Sequence, residues 1–154
     1  MLRVPRQVLV YLFRHTGDGS LEWLMLLRTP QGGAFWQGVS GAPEWGEPDR
    51  DAAVREVREE TGFETAHCLL PIDFRYELRR PAADADWERL YGPGVDSVPE
   101  EVYVAEVPHG RDPTLDPVEH VAWRWCAVGA ASDLLVWEEN RRALDAARAF
   151  VTKP

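Results

Sequence analysis

The sequence predicts an α/β sandwich, a fold in which helices pack against the faces of a β-sheet. Two observations predict this class. Short apolar segments of strand length occur both before and after the middle of the chain, whereas residues 48–61 and 137–151 have the end signals or the apolar stripe of helices. The length of 154 residues suits one hydrophobic core, so we expect a single domain over residues 1–154.

The first elements are predicted to be strands. Residues 8–13 and 21–27 are apolar runs, and the segment between them contains His15-Thr16-Gly17-Asp18-Gly19, a turn typical of a hairpin. A short aromatic strand is predicted over residues 35–40, directly before a segment rich in glycine and glutamate. Three strands are therefore expected before the first helix.

The first helix is predicted over residues 48–61. Pro48 suits the first turn, where its missing N–H would have no partner within the helix. Asp49 and Asp51 follow it and favour the positive end of the helix dipole. Gly62 can adopt the left-handed conformation that ends a helix. These signals indicate a helix of about four turns.

The second half of the chain is predicted to contain further strands, one loop and one helix. Residues 68–78 predict one or two strands, and residues 101–107 and 121–128 predict two more because apolar and polar residues alternate. Residues 81–99 are rich in proline and glycine and predict a long loop, a kind of segment that often binds ligands. An amphipathic helix is predicted over residues 137–151, with an apolar stripe of Trp137, Leu144, Ala147 and Val151.

Three carboxylates are expected on one face of the helix 48–61. Glu56 lies three residues before Glu59 and four before Glu60, so their side chains project together. Clustered acids repel one another unless a cation neutralises them, and oxygen ligands suit a hard ion such as Mg²⁺ or Mn²⁺. The fork of Arg55 can hold Glu47 or Glu59 in one geometry. Taken alone, such a charge run more often forms a solvated helix face.

Composition narrows the classes of function. The formal net charge of -9 argues against a nucleic-acid-binding surface, which normally carries a basic patch. The two cysteines lack the C-x-x-C spacing of a zinc site, and the apolar run near the start is too short to span a membrane. An acidic protein repels phosphates unless divalent cations bridge the two, so a phosphate substrate would require a metal ion.

The spacing of residues 41–63 decides between the two interpretations of the acidic helix. The segment fits the pattern G-x5-E-x7-R-E-U-x-E-E-x-G-U, where U is apolar. This pattern is the Nudix box, so the chain resembles the Nudix hydrolases. The matching residues are Gly41, Glu47, Arg55, Glu56, Val57, Glu59, Glu60, Gly62 and Phe63.

Other segments resemble the bacterial dihydroneopterin triphosphate pyrophosphohydrolases, which are also catalogued as dATP pyrophosphohydrolases. The similarity runs over about residues 8–150 and is carried by residues 35–37, 91–95, 118–120 and 137–141. It implies the Nudix fold, an α/β/α sandwich with a central mixed β-sheet. It also implies cleavage of a nucleoside or pterin triphosphate to a monophosphate and pyrophosphate.

The resemblance further implies roles for individual residues. Mg²⁺, with Mn²⁺ as a substitute, is the expected cofactor, and the general base is expected to be Glu119 or Glu59. Without the resemblance, Glu119 could equally be a surface acid. The expected metal ligands are Glu56, Glu60, Glu59, Glu119 and the carbonyl of Gly41; the expected catalytic group is Glu59, Glu119, Arg55 and Glu47; the expected substrate contacts are Arg28, Ser40 and Asn140.

Several alternatives remain open at this point. The Nudix box also serves oxidised or ordinary deoxynucleoside triphosphates, dinucleoside polyphosphates and nucleotide sugars, because it binds phosphates and metal while other loops select the remainder. A noncatalytic nucleotide-sensing domain and an RNA-decapping protein are less favoured, since the box is complete and acids outnumber bases. We expect a cytoplasmic protein with a small-molecule phosphoanhydride substrate, no nucleic-acid or membrane partner, and a homodimeric assembly.

Overall fold

The computed structural model describes residues 1–80 and 85–154. These ranges contain seven strands, four α-helices and a 3₁₀ turn at Pro30–Gly32. The strands are β1 (Gln7–His15), β2 (Leu21–Arg28), β3 (Trp36–Gln37), β4 (Val39–Gly41), β5 (Leu70–Arg79), β6 (Ser97–Glu106) and β7 (His120–Cys126). The helices are α1 (Asp49–Thr61), α2 (Ala85–Tyr91), α3 (Val128–Leu134) and α4 (Glu138–Val151).

All seven strands belong to one mixed sheet. The main path runs β3-β2-β1-β6-β5, while β4 pairs with β1 and β7 pairs with β2. Strands β1 and β6 are parallel, and the other pairs are antiparallel. Strands β1 and β2 pair directly only between residues 13–15 and 21–23. Further from the hairpin turn, β1 pairs with β4 at residues 8–10, and β2 pairs with β3 at residues 26–27. The short strands β3 and β4 therefore fill the gap where β1 and β2 separate.

Apolar side chains cover both faces of the central strands. Successive residues of β1 alternate between two buried clusters, because neighbouring side chains of a strand point to opposite faces. One cluster contains Ala53 and Val57 of α1, and the other contains Ala131 of α3 and Leu144 of α4. Helices therefore pack on both faces, which confirms the predicted α/β/α sandwich.

The two long helices lie close to their predicted bounds. Helix α1 begins at Asp49 after Pro48 and ends before Gly62, whose φ of 79° is left-handed. Helix α4 buries Leu144 and Ala147 as predicted. Trp137 was wrongly placed in that apolar stripe, because it precedes the first helical turn and is 46% exposed. Its ring instead meets the edge of Phe35, with 4.7 Å between the ring centroids.

The predicted loop over residues 81–99 is wrong for most of its length. Helix α2 lies within it and strand β6 begins at its end, while residues 81–84 lie outside the described part of the chain. Trp87 and Tyr91 are one helical turn apart and pack with Val98 in a small buried cluster. This burial stabilises a short helix despite the flanking prolines and glycines.

Smaller differences concern the ends of strands. The predicted strand 35–40 is divided at Gly38 into β3 and β4. The segment predicted as one or two strands over residues 68–78 forms the single strand β5, which begins at Leu70 and whose pairing with β6 is irregular between Pro71 and Arg75. The predicted strand 121–128 ends at Cys126, and Val128 begins α3. Among the helices of the described ranges, none combines the length and the apolar character needed to cross a membrane.

Candidate active site

Glu56 of helix α1 lies against the last residue of strand β4. Glu56 is 9% exposed, and its carboxylate lies against the backbone of Gly41. A Cβ atom at Gly41 would lie within 2.7 Å of all three atoms of that carboxylate. Any side chain at this position would therefore displace Glu56, which explains why the pattern requires glycine there.

Arg55 holds three acids of the predicted site in a fixed arrangement. Its Nε and Nη2 donate to the two oxygens of Glu47 at 3.0 and 2.9 Å, and Nη1 donates to Glu56 at 3.0 Å and Glu59 at 3.2 Å. A further bond joins Nη2 to the carbonyl of Ala42 at 3.1 Å. The hydrogen bonds from Arg55 lower the pKa of Glu47. Arg55 thus ties the loop before α1 to the acidic face of the helix.

Glu60 is the most buried acid of the site. It is 1% exposed, and neither of its carboxylate oxygens has a hydrogen-bond partner in the described part of the chain. Burial, followed by the neighbouring Glu56, raises the pKa of Glu60 to about 11. Burial also raises the pKa of Glu56. An isolated buried carboxylate costs several kcal/mol unless a cation or a proton compensates its charge, so this pair fits a bound cation.

Glu119 and His120 complete this group from the segment that begins β7. Oxygen or nitrogen atoms of Glu60, Glu119 and His120 lie within 4.8 Å of one another. His120 places Nδ1 3.7 Å from Glu60 Oε1, and its Nε2 lies 3.1 Å from the side-chain nitrogen of Gln37. Burial and then the positive charge of Arg28 lower the pKa of His120 to about 4, so the imidazole is neutral at pH 7.

We call Glu56, Glu60 and Glu119 the acid cluster. Its carboxylate oxygens form the kind of donor set that hard divalent cations prefer. Glu56 and Glu119 line a cavity of about 260 Å³, together with Gly41. Glu59 does not line this cavity, and its side chain is 53% exposed beside Arg55. Glu59 thus lies beside Arg55, whereas Glu60 lies beside Glu119 and His120.

A larger cavity of about 520 Å³ adjoins this smaller one. Gln7, Arg28 and Ser40 line both cavities. Ser40 Oγ donates to Gln7 Oε1 at 3.2 Å, while Asn140 lines the larger cavity and donates to the hydroxyl of Tyr76 at 2.9 Å. The three predicted substrate residues, Arg28, Ser40 and Asn140, are thus brought to one connected space.

Arg28 reaches this space from the end of β2. The pairing of β2 with β7 shifts register between Leu27 and Arg28, and such an irregularity re-aims the side chain that follows it. The guanidinium lies 5.9 Å from the centroid of the Phe35 ring, and its Nε has no hydrogen-bond partner among the described residues. A half-buried cation with unused donor capacity suits an anionic or carbonyl-bearing ligand.

Comparison with known proteins identifies the family. The family model of the NUDIX domain matches residues 3–147. The chain belongs to the Nudix family. The dihydroneopterin triphosphate diphosphatase of Escherichia coli (strain K12) is 32% identical over 142 residues, which are 92% of this chain and 90% of that protein. The asymmetrical bis(5'-nucleosyl)-tetraphosphatase of Mus musculus is 28% identical over 134 residues, 87% of this chain and 84% of that protein.

A solved structure supports the same family. The dihydroneopterin triphosphate pyrophosphohydrolase of E. coli superposes with a TM-score of 0.77 and 28% sequence identity, covering 94% of this chain and 95% of that one. The predictions of a Nudix fold and of a Nudix hydrolase are confirmed. Nudix hydrolases use divalent metal ions, and the group formed by Glu60, Glu119 and His120 in this Nudix hydrolase is compatible with that use.

Several residues of this Nudix hydrolase that line or adjoin the two cavities were not predicted from the sequence. They share no spacing with the Nudix box, and only pairing of distant strands or loops brings them to the site. The signal that was available for His120 was its position next to Glu119. These residues are Arg3, Gln7, Gln37, Tyr76, Glu100 and His120.

Proposed function

We propose that this Nudix hydrolase cleaves a nucleoside or pterin triphosphate, of the dihydroneopterin triphosphate or dATP type, to a monophosphate and pyrophosphate. The observation that carries the proposal is the pair of adjoining cavities. One is lined by acids that suit a metal-bound phosphate chain, and the other has the size and aromatic lining that suit a flat ring. The E. coli relative named dihydroneopterin triphosphate diphosphatase supports this substrate class.

Mg²⁺ is the proposed cofactor, with Mn²⁺ as a substitute. Glu56, Glu60 and Glu119 would hold it, with the carbonyl of Gly41 as a further oxygen ligand. Bound there, a divalent ion neutralises phosphate charge and acidifies a water molecule. Arg55 keeps Glu56 from turning away, because its Nη1 bonds to that carboxylate while its other nitrogens are fixed by Glu47. The metal would also remove the electrostatic cost of burying Glu60.

Glu119 is our proposed general base. It lines the cavity that contains Glu56, so its carboxylate can reach a water molecule held there. Glu59, the other candidate, is bound by Arg55 and faces solvent. We propose that Glu59 and Glu47 act through Arg55 by fixing its fork, and that the water's proton passes to Glu119.

Arg28, Ser40 and Asn140 are the proposed substrate contacts. Arg28 and Ser40 line both cavities and would contact the segment of the substrate that connects its ring to its phosphates. Asn140 lines the larger cavity alone and would act near the ring. An arginine fork matches the oxygens of a phosphate in two places at once, which positions the chain for in-line attack.

A product assay with purified protein tests the proposed function. Dihydroneopterin triphosphate, dATP and 8-oxo-dGTP would each be incubated with Mg²⁺, Mn²⁺ or a chelator. We expect pyrophosphate and a monophosphate from the first or second substrate, and activity that falls to background in chelator and returns with either metal. Release of orthophosphate, or turnover that persists in chelator, would contradict the proposal.

Cleavage of a dinucleoside polyphosphate is the second candidate. The similarity to the mouse protein named asymmetrical bis(5'-nucleosyl)-tetraphosphatase favours it. A dinucleoside tetraphosphate added to the same assay distinguishes the two functions. Higher kcat/KM for that compound than for every triphosphate would favour the second candidate.

We also propose a cytoplasmic homodimer that binds neither nucleic acid nor membrane. The formal net charge of -9 supports the absence of nucleic-acid binding, because phosphate backbones attract basic surfaces. Light scattering during size exclusion would give twice the 17.5 kDa chain mass for a dimer.

A further inference from the structure

A second buried acid lines the larger cavity, outside the acid cluster. Glu100 belongs to β6, between β1 and β5, and pairs with Gln7 on one side and Tyr76 on the other. It is 4% exposed and lines the larger cavity. An interior strand position normally carries an apolar side chain, so a buried carboxylate here requires an explanation.

One oxygen of Glu100 is held by a chain of hydrogen bonds. The hydroxyl of Tyr76 donates to Glu100 Oε1, and Asn140 donates to the same hydroxyl at 2.9 Å. The backbone carbonyl of Asn140 accepts in turn from Tyr11 at 2.9 Å. These bonds link β6, β5, α4 and β1, so they fix the carboxylate in one orientation.

The other oxygen of Glu100 is unused. Within residues 1–80 and 85–154, the carboxylate accepts from Tyr76 at Oε1, and Oε2 accepts from no protein group. Burial raises the pKa of Glu100 to about 7, while the bond from Tyr76 opposes that rise. Glu100 lines the larger cavity, so its oriented carboxylate offers free acceptor positions to a ligand that donates hydrogen bonds.

The walls of the cavity indicate the shape of that ligand. Phe35 and Trp137 pack edge to face at one side, and Trp87 lines another. Aromatic walls suit a flat ring, and a cavity of about 520 Å³ has room for a bicyclic one. The phosphates of such a ligand would extend past Arg28 and Ser40, which line both cavities.

We propose that Glu100 selects the ring of the substrate by accepting hydrogen bonds from two adjacent N–H groups. These groups belong to the 2-amino-4-oxopyrimidine edge that is found in pterins. Such an edge presents a ring N–H beside an amino group. Oε2 is free for one of these donors, and Oε1 has a second lone pair beside the bond from Tyr76, so the carboxylate complements both donors at once. Adenine presents an amino group beside an unprotonated ring nitrogen, which a carboxylate repels. Tyr76 is a positioning residue, because it holds the first oxygen. This inference rests on the proposed function and adds the feature of the ring that is recognised.

The test uses Glu100→Gln, which keeps the shape but offers one acceptor and one donor. That pair fits the edge of adenine and mismatches the edge of a pterin. We expect kcat/KM for dihydroneopterin triphosphate, divided by kcat/KM for dATP, to fall roughly 10- to 100-fold relative to wild type. Glu101→Gln is the matched control, since the next residue of the strand points to the opposite face, and it should leave the ratio unchanged.

A second variant keeps the test decisive if Glu100→Gln does not fold. Tyr76→Phe preserves the ring and removes the donor that orients Glu100, so the same ratio should fall by a smaller factor, roughly 3- to 10-fold. A ratio unchanged in either folded variant overturns the inference and leaves the proposed function standing. If the wild-type protein hydrolyses neither triphosphate, the proposed function itself fails.

Discussion

Glu60 and Glu100 are both buried glutamates, yet their surroundings are opposite. Glu60 faces the charges of Glu56 and Glu119, and its pKa is raised to about 11. Glu100 faces the hydroxyl of Tyr76, and its pKa is raised only to about 7. Acidic neighbours make a site that needs positive charge, whereas a neutral donor makes a site that can accept N–H groups. The same residue type thus suits two ligand classes because its neighbours differ.

Glu60→Gln is expected to have the largest effect. The substitution keeps the shape of the side chain but removes the charge that a metal ion requires, so kcat should fall at least a hundredfold. The loss should be equal for dihydroneopterin triphosphate and dATP, because in the proposed mechanism the acid cluster contacts the phosphates and not the ring. Steady-state assays of both substrates measure it.

The control for that variant is Glu64→Gln, which removes an exposed acid that pairs with Arg58 just beyond α1. It should retain wild-type turnover. Circular dichroism of Glu60→Gln should match the wild type. Near wild-type turnover of Glu60→Gln would contradict the assignment of metal ligands. A loss of kcat that differs between dihydroneopterin triphosphate and dATP would contradict the proposed division between a phosphate site at Glu60 and a ring site at Glu100.

Glu119→Gln and Glu59→Gln are expected to separate the two candidate bases. We expect about a hundredfold loss of kcat for Glu119→Gln, since general bases typically contribute that much, and less than tenfold for Glu59→Gln. For each variant, the loss of kcat should be the same with dihydroneopterin triphosphate as with dATP. Steady-state assays of both variants with both substrates measure these losses. A larger loss for Glu59→Gln would assign the base to Glu59.

Proton release on metal binding is the smallest expected effect. The folded protein keeps a proton on Glu60 at pH 7 because the pKa is raised to about 11, whereas the unfolded chain has lost it. Stability of the metal-free protein should therefore fall as pH rises from about 5 towards 11. Mg²⁺ held by Glu60 would take the place of this proton, so binding should release about one proton and strengthen with pH.

Calorimetry in two buffers with different ionisation enthalpies measures that proton. Glu60→Gln should abolish the release, and Glu100→Gln should preserve it, because Glu100 lies outside the acid cluster. Release that is lost in Glu100→Gln instead would show that the two buried acids titrate together. Glu60 and Glu100 could then not be treated as two independent sites.

The helical spacing was sufficient to bring two members of the acid cluster together, whereas the third member and the larger cavity lay beyond local patterns. Glu56 and Glu60 are four residues apart on one helix, so their side chains project from the same face. Glu119 was expected only from the family resemblance. Glu100 and Tyr76 are 24 residues apart and meet only through the pairing of β5 with β6. An irregularity between Pro71 and Arg75 shifts that pairing, and no local pattern predicts such a shift.

The fold shows the same division. Helices α1 and α4 were predicted within one residue at each end, because the helical repeat and end signals are local. Helix α2 was missed, because its stability comes from packing of Trp87 and Tyr91 on Val98 of a later strand. Glu59 was grouped with the metal ligands by its spacing, although its side chain turns to Arg55 and solvent.

The shared boundary between the cavities has a consequence for the length of the substrate. Gln7, Ser40 and Arg28 belong to β1, β4 and β2, and hydrogen-bonded strands cannot stretch. The separation between the two cavities is therefore fixed by the sheet. Under the proposed function, this fixed separation would select substrates by the length of the chain that joins the ring to the cleaved phosphate.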